Sequence, residues 1–176
     1  MPRVEQVPRV HKVLVSRCLL GHRVRYDGGV QPAEDILARW AAEGRVVPVC
    51  PEVEGGLPTP RPRAEIPGGQ GADVLDGSAR VRTRDGDDVT APYLEGARLC
   101  LDLAARHGIR IAVMKARSPS CGNHETYDGT FTATRVTGEG VAAAALRRAG
   151  VRVFNEDELD AAQAALAELD TTSDHT

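Results

Sequence analysis

Ile111-Ala112-Val113-Met114-Lys115-Ala116-Arg117-Ser118-Pro119-Ser120-Cys121-Gly122 changes character halfway along. Its first part is a short apolar run, which suits a buried strand. Its second part is a Ser-Pro-Ser-Cys-Gly turn that fits neither a strand nor a helix interior. Pro119 drives Ser118 out of the helical region, and Gly122 permits backbone conformations closed to other residues. A thiol and two hydroxyls are thus offered on a stiff loop at the end of a strand. Val13-Leu14-Val15-Ser16-Arg17-Cys18 and Val46-Val47-Pro48-Val49-Cys50 repeat the arrangement. Three strands each run into a cysteine.

The rest of the chain supplies the helices that such strands need. Pro32 to Glu43 reads as a helix: Pro near its start, acids in the first turn, Ile36, Leu37 and Trp40 on one face, and Gly44 as a stop. Val46 to Val49 is a strand that Pro48 confines to an edge or to a short length. A loop rich in Pro and Gly runs from Pro51 to Gly71, read as an extended track fixed by its prolines. Ala72 to Leu75 and Ala79 to Thr83 read as the two strands of a small antiparallel hairpin. A helix capped by Thr90 runs to His107. Ile111 to Lys115 is the next strand, followed after Cys121 by a loop. An alanine-rich helix ends at Gly150, Val151 to Phe154 is a last strand, and Asp157 to Leu169 is a last helix.

Strand and helix alternation predicts an α/β fold of three layers, a mostly parallel sheet with helices on both faces, plus the small β-hairpin insertion. One domain is expected over 1–176, with residues 1–11 and 171–176 loose. In open parallel sheets the loops after the strands' carboxyl ends meet in one crevice. Cys18, Cys50 and Cys121 all follow strands, so all three are expected to face it.

Composition removes several functions. The net charge of -3 and an aromatic content of 3% favour neither a phosphate-backbone surface nor a base-stacking platform. No apolar run approaches the ~20 residues that span a bilayer, and no signal-peptide pattern opens the chain. A cytoplasmic protein is expected, without nucleic-acid or membrane partners. The cytosol keeps thiols reduced, so four cysteines are core residues, metal ligands or reactive thiols. Cys100, within a helical pattern, reads as a core residue.

Three converging cysteines leave several readings. The plainest is core filling. A zinc site with His22 or His124 as fourth ligand lacks the usual close-spaced cysteine pair. Ligands dispersed over separate loops suit a site assembled by a complete fold, whether catalytic zinc or an iron–sulfur cluster. A redox thiol pair is the remaining possibility.

Beyond the cysteines, the chain carries Val15-Ser16-Arg17-Cys18-Leu19-Leu20-Gly21, Arg25-Tyr26-Asp27-Gly28, Val49-Cys50-Pro51-Glu52, Gly55-Gly56-Leu57-Pro58 and Pro60-Arg61-Pro62. Asp88-Val89-Thr90, Lys115 through Gly122 and Tyr127-Asp128-Gly129-Thr130-Phe131 follow. In these motifs, over about residues 12–156, it resembles the domain of unknown function 523 family and, through it, the iron–sulfur thiouracil desulfidases. The resemblance implies a [4Fe-4S] cluster on Cys18, Cys50 and Cys121, with the fourth iron open to the sulfur of a small thiolated substrate. It implies Glu52 and Ser118 as catalytic residues. Relatives often carry another cysteine before Arg25-Tyr26-Asp27-Gly28; Val24 stands there in this chain.

The expected activity is hydrolytic removal of sulfur from a thiouracil-like pyrimidine or related thioamide. Glu52 acts as general base, and Ser118 orients the ring or the water. Arg25, Tyr26, Arg117 and Ser120 are the expected substrate-binding residues. Lys115 reads either as a crevice cation or as a lysine paired with an acid. Tyr26-Asp27-Gly28 and Tyr127-Asp128-Gly129 read as matched turns supporting the ligand loops. The alternative function is a non-catalytic metal or iron–sulfur module that senses redox state or docks to a partner.

Overall fold

The structure, a computed structural model, describes residues 10–20 and 35–173. Four short strands form its central sheet: β1 (Val13–Ser16), β2 (Val46–Val49), β5 (Ile111–Val113) and β8 (Arg152–Phe154). They lie in the order β2-β1-β5-β8, and every pairing is parallel. Val13 stands between Val46 and Ile111, and Val113 opposite Phe154. β2 is an edge strand, where the missing N–H of Pro48 costs no ladder bond.

Alternation along the strands divides the core in two. Leu14, Val47, Val49 and Ala112 point to one face, which is covered by helices α4 (Thr90–His107) and α5 (Val141–Arg148). Val13, Val15, Ile111 and Val113 point to the other, packed under α1 (Asp35–Ala42) and α6 (Leu159–Ser173). Strands apolar on both sides belong in a sheet buried on both faces. The three-layer α/β fold expected from the alternation is the one observed. Leu37 and Trp40 of α1 are buried, as the helical spacing requires.

Several local expectations are corrected. The Pro- and Gly-rich stretch contains a single helical turn, α2 (Pro51–Glu54), because Pro at a first helical position needs no N–H partner. The expected hairpin of Ala72–Leu75 with Ala79–Thr83 does not form. Gly71–Leu75 is helix α3, closed by a capping box between Gln70 and Asp73. The antiparallel pair instead joins β3 (Ala64–Glu65) to β4 (Arg82–Thr83). A second antiparallel pair, β6 (Glu125–Tyr127) with β7 (Arg135–Thr137), lies in the stretch read as a loop after Cys121. Thr90 does not cap α4: it is the first residue of the helix, its N–H donates to Asp88 Oδ1 at 2.9 Å, and its hydroxyl accepts the Val81 N–H. Helix α6 continues through Thr171 to Ser173, four residues past its expected end. No helix among the described residues is long and apolar enough to cross a membrane.

Candidate active site at the strand ends

Because β2, β1 and β5 are neighbours in the sheet, the segments leaving them are neighbours too. Cys18 sits in a 3-10 turn, Arg17–Leu20, directly after β1. Cys50 follows β2 and caps α2 with an extended backbone. Cys121 ends the long turn after β5. All three line one cavity of about 360 Å³, a size proper to a small-ligand site. It lies where the strand order reverses between β1 and β5, the place such sheets use for ligands.

The Cys121 loop is stitched into the fold by its own backbone. The Ser118 hydroxyl accepts the N–H groups of Ser120 and Cys121, both at 3.1 Å. The first N–H groups of α5, which have no partner inside the helix, are taken up by this loop. Val141 donates to the Pro119 carbonyl at 2.8 Å and Ala143 to that of Ser120 at 3.0 Å. Arg117 adopts a left-handed φ of 65°, a strained conformation of the kind functional loops retain.

The described cysteines form no disulfide and are buried. Burial pushes the Cys121 thiol up to about 12, opposed by hydrogen bonds from Ser120 and Ser16. Burial also raises Cys50. Cys18 and Cys50 lie close enough for their charges to be felt at Cys121. Even so, among the described residues no three His, Cys, Asp or Glu side chains converge tightly enough to hold one ion. Zinc bonds of ~2.3 Å require sulfurs within about 4 Å of one another. Three thiols from separate loops facing one cavity are the donor type that iron–sulfur clusters use, so the residues present suit such a cluster. His124 is exposed, bonded to Glu158 at 3.0 Å, and does not line the cavity. His22 lies outside the described residues, as do Arg25 and Tyr26.

Glu52 stands at the centre of the polar network. Its Oε2 accepts Ser120 Oγ at 2.9 Å and Ser118 Oγ at 3.3 Å. Its Oε1 accepts Arg61 Nε at 3.1 Å and the Tyr93 hydroxyl at 2.9 Å. The two serine hydroxyls are 2.9 Å apart, and Ser120 Oγ also reaches Cys121 Sγ at 3.5 Å. Glu52, Ser118, Ser120 and Arg117 are therefore brought together at the cysteines. Ser120 is only 1% exposed and faces Glu52 from beneath the cavity surface. Lys115 satisfies both of its readings: it lines the cavity and its Nζ lies 2.9 Å from Glu156 Oε2.

Residues that sequence reasoning did not assign complete the site. Arg61, Arg63, Tyr93 and Tyr127 line the cavity, and Ser16 donates to Cys121 Sγ at 3.5 Å. Arg63 lies 5.5 Å over the Tyr127 ring. The Tyr127-Asp128-Gly129 turn is anchored from below by buried Glu65, whose Oε1 accepts Gly129 N–H at 2.9 Å. The triplet thus forms a turn with Tyr127 in the cavity wall; its matched triplet, Tyr26-Asp27-Gly28, lies outside the described residues. Cys100 is fully buried in α4 within the hydrophobic core, as its helical setting predicts.

Comparison with known proteins gives this arrangement a family. The profile of the 2-thiouracil desulfurase family matches residues 13–158. An uncharacterised Bacillus subtilis protein, YbbK, is 45% identical over 148 residues, covering 84% of this chain and 97% of its own length. A solved structure described as the [4Fe-4S]-dependent thiouracil desulfidase TudS is 46% identical. It superposes with a TM-score of 0.81, covering 89% of this chain and 98% of its own. With three ligand-type thiols and a carboxylate gathered at the strand ends inside that matched span, the chain belongs to the 2-thiouracil desulfurase family.

Proposed function

We propose that this protein is a [4Fe-4S]-dependent desulfidase that removes sulfur hydrolytically from a thiouracil-like pyrimidine or a related small thioamide. The observation that carries the reading is the Glu52 carboxylate, bonded to Ser118 and Ser120 in a cavity lined by three thiols. Membership of the family and the 46% identical desulfidase support it. Cys18, Cys50 and Cys121 are the residues to hold the cluster. When bound, the cluster supplies an iron with no protein ligand, a Lewis acid that polarises the thiocarbonyl through its sulfur.

The chain's own residues then have defined tasks. Water attacks the thiocarbonyl carbon, and Glu52 Oε2 takes its proton as general base. Ser118, whose oxygen already accepts two backbone N–H groups, has its single proton left to donate. It orients the water or the ring. Oxygen replaces sulfur on the carbon, the sulfur leaves as hydrosulfide, and no electrons are required. The proton held by Glu52 passes to the leaving sulfur, and Glu52 takes up the second proton of the water as the carbonyl forms. Arg117 and Ser120, with Arg25 and Tyr26, are the substrate-binding residues of this reading. The basic side chains lining the cavity, Lys115 and Arg117 among them, balance the negative charge of three thiolates.

Anaerobically purified protein should contain about four iron and four acid-labile sulfide per chain. Glu52→Gln should keep that content and its visible spectrum while losing thiopyrimidine turnover by about 100-fold or more. Full activity in this variant, or zinc in place of iron, defeats the reading.

A further inference from the structure

The four hydrogen bonds to Glu52 divide between its two oxygens, and the two sets of donors differ in kind. Oε2 faces Ser118 and Ser120, hydroxyls that rotate and can both donate and accept. Oε1 faces Arg61 Nε and the Tyr93 hydroxyl. A guanidinium carries donors only. Tyr93 is 1% exposed, and burial, then the charge of Glu52, pushes its ionisation well above the ordinary value, so it too stays a donor.

Both of these donors are themselves held. A second guanidinium nitrogen of Arg61 donates to the Pro58 carbonyl and to Thr59 Oγ1, both at 3.1 Å, within the proline-rich track. Tyr93 lies in the first turns of α4, where two glycines let α2 come into backbone contact. A Cβ on Gly96 would run into the Pro51 carbonyl oxygen, and one on Gly55 into that of Pro92. The approach that needs both glycines sets the Tyr93 hydroxyl against the carboxylate one residue beyond Pro51.

We propose that Arg61 and Tyr93 are positioning residues for the reaction: by locking Oε1 of Glu52 they present Oε2 to the serines and to the attacking water. The proposal rests on the reading of Glu52 as general base. It explains why the track from Pro58 to Arg61 is needed at all. A base with one free torsion would spend part of its time turned from the water, and misplacement of about 1 Å can cost ~100-fold in rate. A carboxylate clasped at one oxygen keeps the other on target.

The test uses the cluster-loaded protein. Tyr93→Phe and Arg61→Lys should each lower kcat about 10- to 100-fold, with KM within about threefold, since neither is asked to bind the substrate. Iron content and visible spectrum should match the wild type. Arg61→Lys keeps a donor and should retain more kcat than Arg61→Ala. A readout independent of turnover is the crystal structure of Tyr93→Phe/Arg61→Lys, in which Glu52 Oε2 should part from Ser120 Oγ.

Wild-type kcat in both single variants overturns the proposal, as does a fall in activity that comes with raised KM and lost iron, the mark of a merely structural role. Glu52→Gln separates the two levels. If it is inactive while Tyr93→Phe and Arg61→Lys turn over normally, only the positioning role fails. If it is fully active, the reading of Glu52 fails and takes the positioning role with it.

Discussion

Cys100 and Cys121 show how little residue type says without position. Both are fully or nearly fully buried, and burial raises both thiols. Cys121 stands on a turn at a strand end, accepts the Ser16 hydroxyl and lies 3.5 Å from Ser120 Oγ. Cys100 stands on α4 among Leu14, Ala112 and Leu146 in the core. Cys100→Ala removes one sulfur's worth of packing, about 1 kcal/mol, and should lower the melting temperature by a few degrees. Iron and sulfide content should stay unchanged; a loss of iron in that variant would mean that the ligand set is wrong. The strand-end positions of Cys18, Cys50 and Cys121 were legible because a short apolar run precedes each one. Tyr93 was not, since its helical spacing in α4 is that of any core residue and only its hydroxyl meets the site.

At the scale of elements, the contact of α2 with α4 decides where Glu52 points. In an exposed helix, Gly→Ala gains up to about 1 kcal/mol of helix propensity. At Gly96 the new Cβ meets the Pro51 carbonyl and backbone, which cannot swing aside like a side chain. Overpacking of this kind costs about 1–3 kcal/mol, so the loss wins. Gly96→Ala should lower both the melting temperature and kcat, measured by thermal unfolding and by steady-state desulfidation. A variant more stable than the wild type and equally active would show that α2 and α4 have room to part. The stretch from Pro51 to Gly71 read as a track because prolines are visible in sequence. Its helical turn and its pairing of β3 with β4 were not, because two-residue strands carry no periodicity.

Over the whole molecule, the loop beyond Cys121 is tied to the far end of the sheet by Glu158. This carboxylate accepts Asn123 Nδ2 at 2.8 Å and the Asn155 N–H at 3.1 Å, and it pairs with His124. Burial works to raise its pKa, but the hydrogen bonds from His124, Asn123 and Asn155 outweigh burial and hold it below the ordinary value. A lowered carboxylate contributes stability above its unfolded pKa of ~4.3, and that contribution is lost as pH falls through the folded value. Glu158→Gln should therefore be less stable at pH 7, by under about 1 kcal/mol for so open a pair. The difference should close as the pH drops below about 4, as followed by urea unfolding at each pH. A gap that widens in acid contradicts the assigned sign. The sequence by itself determined the four strands of the central sheet, most helices and the placing of three cysteines just after strands, because apolar period, Pro and Gly act within a few residues of their own position. Only the tertiary structure decided that Arg61 and Tyr93, 32 residues apart, close on one oxygen of Glu52. A hydrogen bond between distant segments depends on how closely their backbones can pack, and here that closeness comes from two glycines at the contact of α2 with α4.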